Sequence, residues 1–150
     1  MWLNWKFLWV GLLIAAPTHT FAMWEAFTDD LQLCAQSDPI VRAELAGQFC
    51  VRFVPDAPPR WIGVLVVEEV LKGDPQQSVV LLSLPSPVGP QVSTSLHLQT
   101  GQSGLWFLHA PSPDSGIYVV DHPQRFIPAA QVSERMDSIQ QALDAERAKP

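Results

Sequence analysis

The amino-acid sequence predicts a small, mainly β domain, a closed or partly open five-stranded barrel flanked by a short N-terminal helix and a C-terminal amphipathic helix. Short apolar segments typical of strands follow one another through the middle of the chain, and turns rich in Pro and Gly separate them. Residues 131–148 instead carry apolar side chains at helical spacing. Barrel closure is favoured because it removes the unpaired edges that long apolar strands would expose.

The first 22 residues are typical of a cleaved export signal. A single charge, Lys6, precedes the apolar run 7–16, the helix breaker Pro17 and a small-x-small ending at 20–22. The apolar run has ten residues, fewer than the roughly 20 that a membrane-spanning helix needs. We therefore expect an exported protein, periplasmic or secreted, in which residues 23–150 form one domain without stable membrane insertion.

The charge balance restricts the partners that the chain can bind. The formal net charge is −6, and loss of Lys6 with the signal would make it −7. Binding of nucleic acid depends on clustered Lys and Arg, and no such cluster occurs here. We therefore expect no nucleic-acid partner and no attraction to an anionic membrane surface.

The two cysteines, Cys34 and Cys50, are expected to form a disulfide, because exported proteins meet oxidising conditions. Fifteen residues lie between them, and closing a loop of this size would stabilise the fold by about 3 kcal/mol. The alternative is two separate buried thiols. A catalytic dithiol is disfavoured because that chemistry needs a much closer spacing.

Two elements are predicted before the main strands. Thr28 followed by two Asp residues is typical of a helix start, and we predict a short helix near 29–36. Residues 39–47 leave two alternatives open. A Pro at the start and a Gly at the end fit a second helix, whereas alternation over residues 40–45 fits a strand.

The most strand-like block of the chain is 61–71, whose two faces both stay apolar until Glu68 and Glu69. We therefore predict a central strand buried on both sides. A turn at 72–75 leads to a second apolar segment, 78–84. The connection is too short for a crossover helix, so the two strands should form an antiparallel hairpin.

Three further strands and one helix complete the predicted fold. Residues 92–98 alternate between apolar and polar, which indicates a half-buried strand. Strands are also predicted at 105–109 and 117–121, each after a Gly-bearing turn. The helix at 131–148 should pack on the barrel through an apolar stripe formed by Val132, Met136, Ile139 and Leu143.

This order of elements, with VLKG at 70–73 and GQSGLWFL at 101–108, resembles the exported OB-fold domains of the tissue inhibitors of metalloproteinases, the netrin-like type, over roughly residues 39–128. The resemblance implies an OB-like barrel and an inhibitor-like role. In that family the amine and carbonyl of an N-terminal Cys bind the zinc of the protease. Here the predicted mature terminus is Met23 and Cys34 lies inside the chain, so that mechanism does not carry over.

Residues that could support catalysis are few. His97, His109 and His122, together with Asp121, could hold a metal or assist hydrolysis if the fold gathered them. None of them stands at a spacing diagnostic of a metal site, and no catalytic motif accompanies them. We therefore expect a non-enzymatic module without a cofactor, metal or catalytic residue. The alternative is a metal-dependent or hydrolytic enzyme built on these four residues.

The candidate binding surface consists of aromatic residues. Trp61, Trp106, Phe107 and Tyr118 could form a platform on one face of the barrel, or could simply pack in the core. Because Trp106 and Phe107 are adjacent on a predicted strand, one of them should point inward and the other outward. Without basic residues nearby, we expect the partner to be another exported or envelope protein.

Overall fold

The computed structural model describes residues 29–86, 97–109 and 116–149, and in this part the chain is mainly β. One six-stranded sheet curls into a half-barrel, and a long helix follows it. The elements in chain order are α1 (Asp30–Ala35), β1 (Ile40–Val51), β2 (Arg60–Lys72), β3 (Val79–Leu84), β4 (Ser103–Phe107), β5 (Tyr118–Val119), a 3-10 turn (Pro123–Arg125), β6 (Phe126–Pro128) and α2 (Ala129–Arg147).

The N-terminal helix occurs where the sequence predicts it. Asp29 is the N-cap, and its side chain accepts a hydrogen bond of 2.8 Å from the backbone N–H of Gln32. This bond satisfies one of the free N–H groups at the start of a helix. Leu33 and Cys34 are buried by the helix, whereas Leu31 is 41% exposed.

Of residues 39–47, which fit either a helix or a strand in the sequence, all but Pro39 belong to strand β1. Val41, Ala43 and Leu45 point into the half-barrel, and Ile40 points to the opposite side. β1 extends beyond the predicted segment to Val51, and β2 pairs with it along its length. The alternation over residues 40–45 therefore predicted the element correctly, whereas the Pro and Gly at its ends were compatible with a helix as well.

The sheet order is β5-β3-β2-β1-β4-β6. β2 therefore lies in the middle of the sheet, and it forms the predicted antiparallel hairpin with β3. The turn between them contains Gly73 with φ of +113°, a conformation that favours glycine. All neighbours pair antiparallel except β3 and β5, which pair in parallel through two residues each.

The strand count differs from the prediction, and one predicted strand falls almost entirely outside the described residues. β6, formed by only three residues, was not predicted, and it raises the number of strands in the described residues to six. Most of the predicted strand 92–98 lies outside the described residues, and its last two residues, His97 and Leu98, are not in a strand.

The sheet has an apolar core on each of its faces. The concave face encloses the first core, which is made by Val41, Ala43, Leu45, Leu65, Val80, Leu82, Trp106, Leu108, Val120 and Phe126. On the convex face, α1 and α2 cover the second core, which is made by Leu33, Cys34, Ile40, Leu105, Phe107, Ile127, Val132, Ile139, Ala142 and Leu143. The predicted stripe of α2 is confirmed, with Met136 packed at its margin.

Candidate functional site

The helices cover only part of the convex face of the sheet. α2 contacts β4 and β6, and the core beneath it reaches the start of β1. Further along the sheet, the pairing of the strands places the convex-face residues of β2 and β3 side by side. Val66 lies opposite Val79, and Val64 lies opposite Leu81. This region continues beyond the helices without a covering element in the described residues.

We call this region the open face, and we define it by seven apolar residues. Phe49 on β1 lies opposite Ile62 on β2, and Val119 on β5 is paired with a convex-face residue of β3. Successive convex-face positions on one strand are two residues apart, since side chains alternate between faces. The open face consists of Phe49, Ile62, Val64, Val66, Val79, Leu81 and Val119.

Five of these seven side chains are substantially exposed. The exposed fractions are Phe49 55%, Val79 50%, Val66 46%, Leu81 39% and Val119 37%. Ile62, directly opposite Phe49, is only 5% exposed. Single exposed apolar residues are common on proteins, but a contiguous group on adjacent strands is typical of an interaction surface.

Gly47 leaves space for the ring of Phe49, the one aromatic residue of the open face. A Cβ atom at Gly47 would lie 3.0 Å from Cε2 and Cζ of Phe49, closer than ordinary van der Waals contact. The absence of a side chain at Gly47 therefore lets the ring lie back along its own strand. A glycine inside a strand often marks such a close approach.

The exposure of Val66 corrects the prediction that β2 is buried on both sides. The concave-face residue Leu65 is fully buried. Val66, on the convex face, is 46% exposed, because the helices stop short of it. An exposed apolar side of a strand has the same sequence pattern as a buried one. The sequence therefore signals that the convex side of β2 is apolar, but only the position of the helices shows that this side is exposed.

The predicted aromatic surface is wrong in its central pair. Trp106 and Phe107 point to opposite faces, as expected of neighbours on a strand, but both are 0% exposed. The reason is that each face of β4 carries a core: Phe107 contributes to the core beneath the helices, and Trp106 to the concave core. The Trp106 Nε1–H donates to the carbonyl of Ala43 at 3.0 Å, and its ring packs on Phe126.

The other two residues of that surface, Trp61 and Tyr118, are partly buried. Tyr118 packs against the concave core, and Trp61 pairs with Cys50 and Leu84 on either side. Both therefore lie apart from the open face. The four aromatic residues do not form one exposed platform.

The predicted disulfide is also wrong, because Cys34 and Cys50 are both free. Cys34 is buried in α1 at one end of the sheet, whereas Cys50 is exposed near the far end of β1. The ten residues of strand that precede Cys50 span roughly 30 Å at about 3.3 Å per residue. A disulfide needs Cα atoms within about 7 Å. Burial, together with nearby Asp30 and Glu146, raises the pKa of the Cys34 thiol to about 11.

Two of the four candidate catalytic residues come together. His109 Nε2 lies 2.8 Å from Oδ1 of Asp121. His122 instead accepts a hydrogen bond from the backbone N–H of Gln124 at the 3-10 turn, and His97 is exposed in an irregular segment. Within residues 29–86, 97–109 and 116–149, no three His, Cys, Asp or Glu side chains are placed to hold a metal ion.

Asp121 has a second partner, the buried Arg125, whose Nε lies 3.0 Å from the same Oδ1 atom. The Arg125 side chain is 1% exposed, and its Nη1 donates to Ser37 Oγ at 2.9 Å and to the carbonyls of Gln36 and Phe107 at 3.4 and 3.5 Å. Burial lowers the pKa of Arg125, and the nearby Asp121 carboxylate opposes that shift. Asp121 therefore compensates a buried charge that holds α1, β4 and the 3-10 turn together.

No helix among the described residues has the length and apolar character needed to cross a membrane. No family model, curated protein or solved structure matches the chain. The proposed function therefore rests on the geometry of the chain itself.

Proposed function

We propose that this chain is a non-enzymatic, exported protein-interaction module that binds another exported or envelope protein through the open face. The observation that supports this proposal is the group of exposed apolar side chains on adjacent strands. Binding of a partner that covers this apolar sheet face is favourable, because it removes apolar surface from water.

The size of the open face supports a real but moderate affinity. Its five exposed side chains present roughly 400 Å² of apolar surface, which lies within the usual range for a functional patch. At about 25 cal/mol per Å², its burial contributes about 10 kcal/mol before the costs of association. The costs of association are about 4–15 kcal/mol. At the lower end of that range about 6 kcal/mol remains, which corresponds to a dissociation constant of tens of micromolar. A partner that also uses the polar rim would bind more tightly.

We further propose that the half-barrel belongs to the OB-like type of the metalloproteinase inhibitors. The curled sheet and the helix after it are consistent with that type. The inhibitory mechanism itself is not part of the proposal, because Cys34 lies inside helix α1 and its backbone nitrogen is a peptide nitrogen rather than a free amine. A binding role would therefore use the sheet face and not a cysteine terminus.

The test replaces the apolar character of the open face while keeping the fold. Val66→Gln combined with Leu81→Gln should abolish crosslinking to partners in the native compartment, since both side chains are exposed and central to the face. Leu31→Gln is the matched control, because Leu31 is similarly exposed but lies on α1. Circular dichroism should show both variants folded. Equal crosslinking by the two variants would refute the proposal.

The contact between His109 and Asp121 favours a second candidate, a hydrolytic or metal-dependent enzyme. A carboxylate that orients an imidazole is a common arrangement of a general base. Here the same carboxylate oxygen also faces Arg125, so its structural role accounts for the geometry. A hydrolytic activity of the purified chain that His109→Ala eliminates would support the enzyme, and its absence against ester, peptide and phosphate substrates would exclude these reactions.

A further inference from the structure

We infer that the partner of the open face is a second copy of this chain, with the two sheets stacked face to face about a two-fold axis. This inference rests on the proposed function, because it names the protein that covers the same surface. It is based on the charges at the two ends of the open face, which have opposite signs.

One end of the open face is basic. Arg60 is the first residue of β2, on the same face as Val64 and Val66, and Arg52 follows the last residue of β1. Both side chains are exposed. Asp56, in the loop between these strands, is also exposed. With two Arg and one Asp, this end has a net positive charge.

The other end is acidic. Glu44 lies directly opposite Val66, and Glu68 follows Val66 by two residues on β2. Both are exposed. The neighbouring Glu69 is 3.4 Å from Arg42, so these two charges compensate each other. The uncompensated charge at this end comes from Glu44 and Glu68 and is negative.

A two-fold axis that lies between two stacked sheets and runs perpendicular to their strands reverses the direction of the second copy. The basic end of each chain then lies over the acidic end of the other, and the apolar residues of both chains meet in the middle. Sheets stack about 10 Å apart, a distance that the long Arg and Glu side chains at the rim can bridge. The face is thus complementary to itself in both charge and polarity.

Near the two-fold axis of such an interface, each residue lies close to the same residue of the other chain. A charged residue close to a two-fold axis would repel itself. Strand β3 lies within residues 75–113, which contain no Asp, Glu, Lys or Arg. Two copies of an acidic protein can therefore approach through β2 and β3 without repulsion at the centre.

The size of the face sets the strength of the dimer. Roughly 400 Å² of apolar surface per chain is about half of the 800 Å² that each partner contributes to a standard interface. We therefore expect a reversible dimer, with a dissociation constant on the order of 10–100 μM, which weakens at high salt because its rim is charged.

The experiment is sedimentation equilibrium on the mature chain, residues 23–150, with two charge-reversal variants. Glu44→Arg with Glu68→Arg makes both ends basic, and Arg52→Glu with Arg60→Glu makes both ends acidic. Each variant alone should dimerise at least tenfold more weakly than the unmodified chain. An equimolar mixture should recover a dimer of one copy of each variant, because opposite charges again face one another.

Two controls separate this effect from other causes. Glu134→Arg with Asp137→Arg changes the net charge as much as the first reversal variant, but both residues are exposed on α2, so the dimer should persist. Val66→Gln with Leu81→Gln should weaken the dimer at least tenfold without altering the rim.

The outcomes distinguish this inference from the proposed function. A monomer at all concentrations up to about 1 mM, far above the expected dissociation constant, would overturn the second copy as partner. In that case loss of crosslinking to a different protein in Val66→Gln with Leu81→Gln would still support the proposed function. A dimer that neither reversal variant nor Val66→Gln with Leu81→Gln weakens uses another surface, and it would also overturn the inference.

Discussion

Removal of the negative charge at Asp121 should destabilise the fold substantially. Arg125 is almost completely buried, and the Asp121 carboxylate is the charged group that lies against it, at 3.0 Å. In Asp121→Asn the amide keeps a similar shape and still offers an oxygen, so the change removes the charge with little loss of packing. The guanidinium then remains buried without that carboxylate, next to the Ser37 hydroxyl and the carbonyls of Gln36 and Phe107.

The expected loss follows from the exposure of the two partners. Breaking a fully buried ion pair by removing one partner costs about 3–5 kcal/mol. The Asp121 side chain is 32% exposed, so water already weakens this pair. We therefore expect Asp121→Asn to lower the free energy of unfolding by about 2–3 kcal/mol.

A double-mutant cycle with Arg125→Met isolates the interaction between the charges. Arg125→Met removes the buried charge but leaves the hydroxyl of Ser37 and nearby carbonyls without that donor, which should cost about 1–2 kcal/mol. In the double variant, Asp121→Asn should add almost nothing, since no buried cation remains. Urea unfolding at pH 7, followed by circular dichroism, measures all four proteins. Additivity within about 0.5 kcal/mol would refute the account of Asp121 as counter-charge.

Three further predictions concern the cysteines and the packing of β4. Iodoacetamide at pH 8 should modify Cys50 rapidly and Cys34 only after unfolding, because Cys34 is buried and its thiol pKa is about 11. Rapid modification of both thiols in the folded chain, or of neither, would contradict this. Folding raises the pKa of the Cys34 thiol, so the free energy of unfolding should be unaffected below pH 9 and should fall between about pH 9 and 11, where the thiol of the unfolded chain ionises first. Relative to Cys34→Ala, the free energy of unfolding should fall by up to about 3 kcal/mol more across this window. Parallel pH profiles of the two proteins would contradict this. Gly104→Ala should lower the free energy of unfolding by about 3 kcal/mol or more, because its Cβ would lie 2.2 Å from the carbonyl oxygen of Ile127. Gly101→Ala, which has no atom within 4 Å but φ of +87°, should cost only about 1 kcal/mol in urea unfolding. Equal losses in the two variants would be inconsistent with a steric origin.

Elements with a strong local pattern could be predicted from the sequence. The hairpin of β2 and β3 follows from two apolar segments joined by a short turn with Gly73. α2 follows from apolar spacing over several turns. β6 has only three residues, and its place in the sheet depends on pairing with β4, a contact that no local pattern encodes.

The errors at the candidate site have one physical origin, which is that alternation in a strand does not reveal what covers each face. For Trp106 and Phe107 it suggested one exposed side chain, but a core lies on both sides of β4. For Val66 the continuous apolar run suggested burial on both sides of β2, but the helices do not reach that part of the sheet. The disulfide failed for a related reason, since an extended strand carries Cys50 away from Cys34.

The most direct test of the open face as the surface through which two copies of the chain bind is hydroxyl-radical footprinting of the chain at increasing concentration, read out by mass spectrometry. Phe49 and Leu81 should become protected as the chain associates, whereas Leu31, similarly exposed on α1, should be oxidised at an unchanged rate. Protection of Leu31 without protection of Phe49 and Leu81, or unchanged oxidation of all three across the concentration range, would contradict the account.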